Sequence, residues 1–411
     1  MEELAVHLRD RRIGTLRSDG GALSFAYAAD YFREPGAEPL SFTLPLREEP
    51  YAERDVAAFL SGLLPDEGVR RRIAEILGLS SENTFGLLRE IGEDCAGAIA
   101  FFAPGRTPSA QGPGDYRELS PEEAARILRE LPSRPLDVGE EGFRISGAGA
   151  QDKRVACIRG DRIVLPLRGA PSTHIVKAGI PRFPETVPNE LLCMRLARRA
   201  GLSAASCGLF RAGGEIYYAT ERFDRATDGA GRTIRLHQED FCQLLRCDPK
   251  IKYESEGGPG IADCFRLLRE MELPLADTIE LLDRVVFNFL VGNGDAHAKN
   301  FSVLYRDARP RLAPAYDIVS TAVYPALWKR MAMKIGGEYN PRYVALRHFL
   351  RMGEAAGLSE RLVRAEIRKV SEASFRALPD ALDEVRALQP AEVYHDIAKG
   401  FHARRKQLAD A

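Results

Sequence analysis

The segment Asn293-Gly294-Asp295-Ala296-His297-Ala298-Lys299-Asn300, followed by Tyr316-Asp317-Ile318, holds two carboxylates and an amide at a spacing suited to phosphoryl transfer. Moving a γ-phosphoryl group needs in-line positioning, neutralisation of phosphate charge by Mg²⁺, and a carboxylate that orients the attacking hydroxyl. Asp295 and Asn300 have the Asp-x-x-x-x-Asn spacing of a protein-kinase catalytic loop, in which the acid takes the hydroxyl proton and the amide holds a metal. Asp317 would supply the second, harder metal ligand. Taken alone, the cluster also reads as an ordinary Gly/Asn/Asp turn between a helix and a strand.

What separates these readings is whether the rest of the chain supplies a nucleotide site in the right order. Upstream, Ser146-Gly147-Ala148-Gly149-Ala150-Gln151-Asp152-Lys153 is rich in small residues and precedes a hairpin, Arg154 to Ile158 and Arg162 to Leu165, turning through Arg159-Gly160-Asp161. Glycines there let backbone N–H groups approach phosphate oxygens closely. The segment is neither a Walker A sequence nor a full Gly-x-Gly-x-x-Gly, so it argues by position. The next strand, Thr173-His174-Ile175-Val176-Lys177, ends in a lysine where a kinase keeps the cation that bridges nucleotide phosphates.

A helix opened by Asn189-Glu190 and continued by Leu191, Leu192, Met194 and Leu196 to Gly201 then offers Glu190 in its first turn. An acid there suits the helix dipole, or pairs with Lys177. Tyr217-Tyr218-Ala219-Thr220-Glu221-Arg222-Phe223-Asp224 reads as a strand running into a polar segment, where two lobes would be joined and an adenine edge would meet backbone groups. Gly-rich loop, strand lysine, helix acid, linker, catalytic Asp, metal Asn and metal Asp thus follow one another as in a two-lobed kinase. That ordering is far less probable by accident than any one part.

The elements that must position these residues follow from periodicity and punctuation. Ile279, Leu282, Val286, Phe289 and Leu290 form a helical stripe that stops at Gly292 and Gly294, so the acidic cluster lies on a loop just past a helix end, before a strand Phe301 to Tyr305. Residues 1–105 mix short strands, Ala22 to Ala28 and Ala96 to Phe102, with a helical middle from Glu53 to Leu77, and read as a small α+β domain. Residues 106–118, within a Pro/Gly-rich stretch, read as a linker. Ser120-Pro121-Glu122-Glu123 is a capping box that opens a helix. Residues 119–224 then form a strand-rich lobe and 225–411 a helical lobe that includes Pro341 to Gly357 and Ser359 to Ser374. The expected fold class is α+β: a two-lobed protein-kinase-like fold with a small N-terminal α+β domain.

With these residues in hand, the chain resembles the HipA family of serine/threonine kinase toxins from bacterial toxin–antitoxin modules. The resemblance is carried by Arg144-Ile145-Ser146 with Gly149-Ala150-Gln151 and Lys153, by Thr173 to Lys177, by Glu221-Arg222-Phe223-Asp224-Arg225, and by Gln238-Glu239-Asp240 with Cys242-Gln243. It continues in Lys252-Tyr253-Glu254-Ser255 with Gly257-Gly258-Pro259-Gly260, in Asp295 with His297 to Ser302, and in Tyr316-Asp317-Ile318. The first hundred residues also look like the family's extra domain, so the likeness covers nearly the whole chain.

The resemblance implies ATP and Mg²⁺ as cofactors. It makes Asp295 the catalytic carboxylate, Asn300 and Asp317 the Mg²⁺ ligands and Lys177 the phosphate-bridging cation. Ala148, Gly149, Ala150, Gln151, Asp152 and Lys153 become the phosphate loop. Glu221, Arg222 and Phe223 would meet the adenine, and His297, Ala298 and Lys299 would lie against the phosphates, with Tyr316 beside Asp317. Ser146 matches the family's autophosphorylated serine, whose modification silences the kinase. The implied partners are a HipB-like DNA-binding antitoxin, through which alone DNA would be met, and a protein substrate in translation such as an aminoacyl-tRNA synthetase. Two departures from ordinary protein kinases stand out: Asn293 lies two before Asp295 in place of His, and Tyr316-Asp317-Ile318 replaces Asp-Phe-Gly. Activation-segment logic is therefore not transferred.

Composition fits a soluble intracellular enzyme. At 411 residues and 45% hydrophobic, the chain can bury two or three cores. Its seven scattered cysteines include no Cys-x-x-Cys pair, which argues against a disulfide framework or a cysteine zinc site. The N-terminus lacks a basic region followed by an apolar core, and no apolar run approaches the ~18 residues of a membrane span, so the cytoplasm is the default compartment. A net charge of −1 excludes a global positive field for nucleic acid, and the runs Arg70-Arg71-Arg72 and Arg404-Arg405-Lys406 read as solvated helix faces. Two alternatives stay open: a small-molecule or lipid phosphotransferase, and an inactive kinase-like partner of a DNA-binding antitoxin.

Overall fold

The computed structural model describes residues 1–132, 151–306, 309–327 and 329–409. The fold is α+β and protein-kinase-like, with a strand-rich part and a helical part, as the residue pattern leads one to expect. The chain falls into two compact units. The first is Met1–Ala178 with Phe210–Lys250 and Leu304–Arg309, and the second is Gly179–Leu209 with Ile251–Val303 and Pro310–Ala411.

The first unit begins with a five-stranded antiparallel sheet in the order Tyr51–Ala52, Ala22–Tyr27, Arg11–Asp19, Glu2–Leu8, Ile99–Phe102. Alternation decides its inner face: Leu4, Val6, Leu8, Leu23, Phe25 and Tyr27 are all buried. Against it pack Val56, Phe59 and Leu60 of the helix Glu53–Gly62, Val69 and Ile73 of Glu67–Leu77, and Leu87 and Leu88 of Thr84–Ile91. The helical middle expected from Glu53 to Leu77 is two helices, broken at Leu63–Asp66, where Pro65 disfavours helical backbone in the residue before it.

A second, six-stranded sheet runs Cys207–Ala212, Glu215–Glu221, His174–Lys177, Lys153–Arg159, Arg162–Pro166, Tyr116–Glu118. The end of the segment read as a linker is therefore an edge strand, pairing antiparallel with Val164 to Pro166. The capping box forms as read: Ser120 Oγ accepts the Glu123 N–H at 3.1 Å and the Glu123 carboxylate accepts the Ser120 N–H at 2.9 Å. It opens the helix Pro121–Glu130, whose Ala124, Ile127 and Leu128 cover this sheet's core.

The unit boundaries cut through the domain scheme drawn from sequence, because residues 225–250 go with the N-terminal sheet. Buried charge is the reason. The Asp94 carboxylate meets Arg225 at 2.8 Å, Arg235 at 3.1 Å and Arg222 at 3.3 Å. Asp224 pairs with Arg222 at 2.8 Å and accepts the Gly97 N–H at 2.6 Å.

The second unit is built on helices Thr186–Arg199, Ile261–Glu270, Leu275–Val291, Leu346–Ala355, Glu360–Leu388 and Val393–Ala409. Glu360–Leu388 outruns the expected end at Ser374 and passes straight through Pro379. The proline removes one intrahelical hydrogen bond, but the buried stripe Val363, Ile367, Val370, Ser374, Leu378, Leu382 and Val385 continues on both sides of it.

The two basic runs are solvated only in part: Arg71 and Lys406 are exposed, but their neighbours turn inward. Arg70 is buried and donates to the Ser81 carbonyl, Ser61 Oγ and Thr84 Oγ1 at 2.6, 3.0 and 2.8 Å. Arg404 is buried and donates to the Leu290 carbonyl at 2.9 Å, while Arg405 lies 4.2 Å from the Phe375 ring centre. In each case local packing uses the long stem and the fixed fork of donors. Among the described residues, no helix is long and apolar enough to cross a membrane.

Candidate active site

In the second unit the helix Leu275–Val291 delivers the acidic loop. It closes on Gly292 in the left-handed conformation, φ +78°, with the Gly292 N–H directed at the Asn288 and Phe289 carbonyls. A Cβ at this position would fall 2.6 Å from Ala322 Cβ and 2.8 Å from Arg404 Cζ, so both backbone conformation and space demand glycine. Asn293 then donates twice to Asn288, from N–H to carbonyl at 2.8 Å and from Nδ2 to Oδ1 at 2.9 Å. Its own Oδ1 accepts the Asp295 N–H at 3.1 Å. This is an Asx-type turn, and it fixes the backbone of the acid. Thr321 Oγ1 accepts the Gly294 N–H at 2.8 Å, and the Gly294 carbonyl accepts the Ala332 N–H at 2.8 Å.

Held this way, Asp295 is exposed, and its Oδ1 accepts a hydrogen bond from the Tyr253 hydroxyl at 2.9 Å. The Tyr253 ring lies edge-on to the buried His297 ring, centroids 5.5 Å apart. A 3₁₀ turn, Ala298–Asn300, follows, in which Asn300 Oδ1 accepts the His297 N–H at 3.1 Å and Asn300 Nδ2 donates to Asp317 Oδ2 at 3.0 Å. Ala298 and Lys299 are buried.

Asp317 is exposed and has φ +59°, a left-handed conformation that costs a non-glycine residue on the order of 1 kcal/mol or more. Its neighbours over-determine it. Ala315 donates to the Ser203 carbonyl at 2.7 Å and accepts from Ala205 at 2.9 Å. On the other side, Ser320 donates its N–H to Asn189 Oδ1 at 2.8 Å, and its carbonyl accepts from Asn189 Nδ2 at 3.0 Å. The Tyr316 hydroxyl donates to the Lys299 carbonyl at 2.8 Å and shares a 2.6 Å hydrogen bond with Ser302 Oγ. Because the residue before Asp317 is tied to the residue before Asn300, the two side chains converge.

Chemically, the second unit thus presents an open carboxylate able to take a hydroxyl proton, beside a carboxylate and an amide able to offer oxygen to a hard cation. Among the described residues no three His, Cys, Asp or Glu side chains are grouped to hold a metal.

The first unit carries the other expected residues. Lys177 ends the strand His174–Lys177, is buried, and lies in register between Lys153 and Tyr218, its Nζ 5.5 Å from the Tyr218 ring centre. Gln151 Nε2 donates to the Ala178 carbonyl at 2.5 Å. Asp152 pairs with Arg72 of the helix Glu67–Leu77; burial pushes its carboxyl up, against the pull of Arg72. Glu221 is exposed at the end of its strand, opposite His174, and Phe223 is half-buried.

Of the residues expected beside the adenine, Arg222 carries its side chain into the core. Its guanidinium is buried against Asp224, Asp94, Ser172 Oγ and the Cys95 carbonyl, so the side chain is part of the core and any nucleotide contact here is left to the backbone. Glu190 is buried in the second turn of Thr186–Arg199, not the first, because Pro188 sits within the opening turn, where no backbone donor is needed. Ser146, Ala148, Gly149 and Ala150 lie outside the described residues.

Residues 4–102 match the model of the HipA N-terminal domain, and residues 145–378 match that of the HipA-like C-terminal domain. The chain belongs to the HipA family. It is 40% identical over 397 residues to the putative kinase Y4mE of Sinorhizobium fredii, covering 95% of this chain and 93% of the relative. It is 32% identical to the serine/threonine-protein kinase toxin HipA of Shewanella oneidensis, over 94% of this chain and 90% of the relative. A solved structure of Shewanella oneidensis HipA with HipB and operator DNA superposes with a TM-score of 0.85 at 28% identity, covering 99% of this chain and 97% of that one. HipA membership puts the chain among the kinases of toxin–antitoxin systems.

Several residues that build this site carry no assignment in the sequence pattern. Tyr253 and Glu254 appear there only inside a family motif, and Asn189, Thr321 and Ser320 not as positioning groups. No local pattern marks them, since their partners lie far along the chain. Asn293 is the exception: read as a departure from the kinase histidine, it lies beside an Asn-Gly-Asp sequence whose turn chemistry is visible.

Proposed function

We propose that this chain is an ATP-dependent serine/threonine protein kinase acting as a HipA-type toxin, with inhibitory autophosphorylation at Ser146. The observation that carries this is the convergence of Asn300 Nδ2 on Asp317 Oδ2 at 3.0 Å, on the same unit as the exposed Asp295. When bound, ATP supplies the γ-phosphoryl group and Mg²⁺ offsets its charge. Asp295 accepts the proton of the acceptor hydroxyl as that oxygen attacks. Asp317 and Asn300 hold the metal, and Lys177 draws the phosphates. Lys153, Gln151 and the preceding small residues serve as the phosphate loop. Glu221 to Phe223 serve the adenine through backbone and ring, and His297, Ala298, Lys299 and Tyr316 line the phosphate side.

A phosphate on Ser146 would bring roughly −1.5 to −2 charges to a loop meant to hold ATP phosphates, and like-charge repulsion would eject it. The solved HipA relative is bound to HipB and operator DNA. That supports a HipB-like antitoxin as partner, with DNA met through it, in a cytoplasmic protein whose net charge of −1 provides no general attraction to nucleic acid. The acceptor is taken to be a protein of translation, an aminoacyl-tRNA synthetase among the candidates.

The test is purified protein with labelled ATP and Mg²⁺, wild type beside Asp295→Asn and Ser146→Ala, followed by mass spectrometry of whatever carries label. Asp295→Asn is expected to bind ATP yet lose transfer by at least about 10²-fold. Ser146→Ala is expected to keep nucleotide binding and to escape self-inactivation. Undiminished transfer by Asp295→Asn would overturn the reading, as would label found only on a lipid or small molecule.

A further inference from the structure

Tyr253 is 42 residues from Asp295 in sequence and touches it in space, its hydroxyl donating to Asp295 Oδ1 at 2.9 Å. The contact is braced from several directions. Beside it, the Gly294 carbonyl accepts the Ala332 N–H at 2.8 Å, and the Ala332 carbonyl accepts the Glu254 N–H at 3.1 Å. Two backbone hydrogen bonds thus tie the residue before the acid to the residue after the tyrosine through a third segment. The Glu254 carboxylate grips that segment, with Oε2 accepting the Lys334 N–H at 2.6 Å and Oε1 lying 3.3 Å from Lys334 Nζ. Glu254 in turn rests on Gly260, where a Cβ would come within 2.9 Å of its Cδ. The Tyr253 ring is held edge-on by His297.

We infer that Tyr253 is a positioning residue for phosphoryl transfer. Its hydroxyl fixes the rotation of the Asp295 carboxyl, so that the oxygen receiving the acceptor proton is aimed before the acceptor arrives. Asp295 is exposed, and an exposed carboxylate otherwise samples several rotamers; a charge-assisted hydrogen bond from a braced phenol removes that freedom. Preorganisation of this kind acts on the chemical step more than on binding.

The inference rests on the kinase reading above, and the experiment separates the two. Wild type, Tyr253→Phe, Glu254→Gln and Asp295→Asn are compared for ATP affinity by calorimetry, for kcat and acceptor KM in phosphotransfer, and for thermal unfolding. Tyr253→Phe keeps the ring against His297 and removes only the donor. It is expected to lower kcat about tenfold, the rate equivalent of one hydrogen bond to a charged group, with ATP affinity, acceptor KM and unfolding temperature unchanged. Glu254→Gln leaves the phenol in place and loosens its brace, so kcat should fall by a smaller factor. Unchanged kcat in Tyr253→Phe overturns the positioning role, and so does a loss lying wholly in KM. Phosphate found on Tyr253 by mass spectrometry also overturns it, since the tyrosine would then be an acceptor. If wild type shows no Asp295-dependent transfer, it is the kinase reading that fails.

Discussion

Backbone conformation and chemistry meet at single residues in this protein. Gly292 ends one helix and starts the acidic loop, and nothing but glycine fits there. Gly292→Ala is expected to lower stability by about 2–4 kcal/mol, combining left-handed strain with overpacking against Ala322 and Arg404, readable as a shift of the urea midpoint. Asp317 is the converse case, a strained non-glycine residue whose carboxylate the proposed function assigns to Mg²⁺. Asparagine tolerates the same left-handed backbone, so Asp317→Asn should leave unfolding temperature within a degree or so while removing Mg²⁺-dependent transfer. A large loss of stability in that variant would make the acid a structural residue. The types and order of these side chains are legible in the sequence, because residue type and short spacing are read directly from the chain. The contact from Tyr253 is not, because no local periodicity records it.

At the level of elements, the strand His237–Asp240 carries two buried titratable groups with opposite leanings. Burial pushes the Glu239 carboxyl up to about 7, although Ser41, the Tyr305 hydroxyl and the Phe42 N–H all donate to it, the last two at 2.7 and 3.1 Å. Burial, with Arg9 adding to it, pushes the His237 imidazole down to about 4; its ring stacks on Tyr305 and its Nε2 lies 3.9 Å from Glu239. Asp240 adds a further negative charge beside Glu239.

The signs follow from linkage. Glu239, raised in the folded state, contributes stability that is complete below its ordinary value near 4.5 and is lost as pH rises through about 7. His237, lowered in the folded state, contributes stability that is complete above 6.5 and is lost as pH falls through about 4. Between 4.5 and 6.5 the two slopes oppose each other. Glu239→Gln should therefore leave the histidine slope unopposed, and stability should climb with pH more steeply than in wild type across that window, by on the order of 1 kcal/mol per pH unit. Denaturant titrations at three pH values check this, and parallel slopes in the two proteins would refute it. The strand itself is short and sequence alone does not set it apart, since its burial is supplied by residues near position 41 and by Tyr305.

For the whole molecule, the N-terminal sheet and the strand-rich part of the kinase-like fold share one buried charge network. Burial works against the Asp94 charge, but Arg225, Arg222 and Arg235, with the Ser172 hydroxyl, outweigh it and hold the carboxyl below the usual range. Removing that carboxylate leaves Arg222 and Arg225 to share Asp224 and leaves Arg235 on the Gly169 carbonyl, with all three guanidiniums buried. Asp94→Ala is expected to cost about 3–5 kcal/mol and to unfold the N-terminal sheet together with residues 210–250 in one transition, which denaturation followed by hydrogen exchange would resolve. Two separated transitions, with residues 210–250 still protected after the sheet has opened, would show that the network does not couple them.

What the amino-acid order determined by itself was the fold class, the family and many of the helices and strands, because these rest on residue type, short spacing and periodic burial. Tertiary structure alone decided that Arg222 serves the core, that Arg70 and Arg404 are buried, that a presumed linker ends as an edge strand, and that Tyr253 reaches Asp295. Arg70 bonds residues 9 to 14 positions away across a break between helices, and the others depend on partners much farther along the chain, contacts that are a property of packing and that no local pattern encodes.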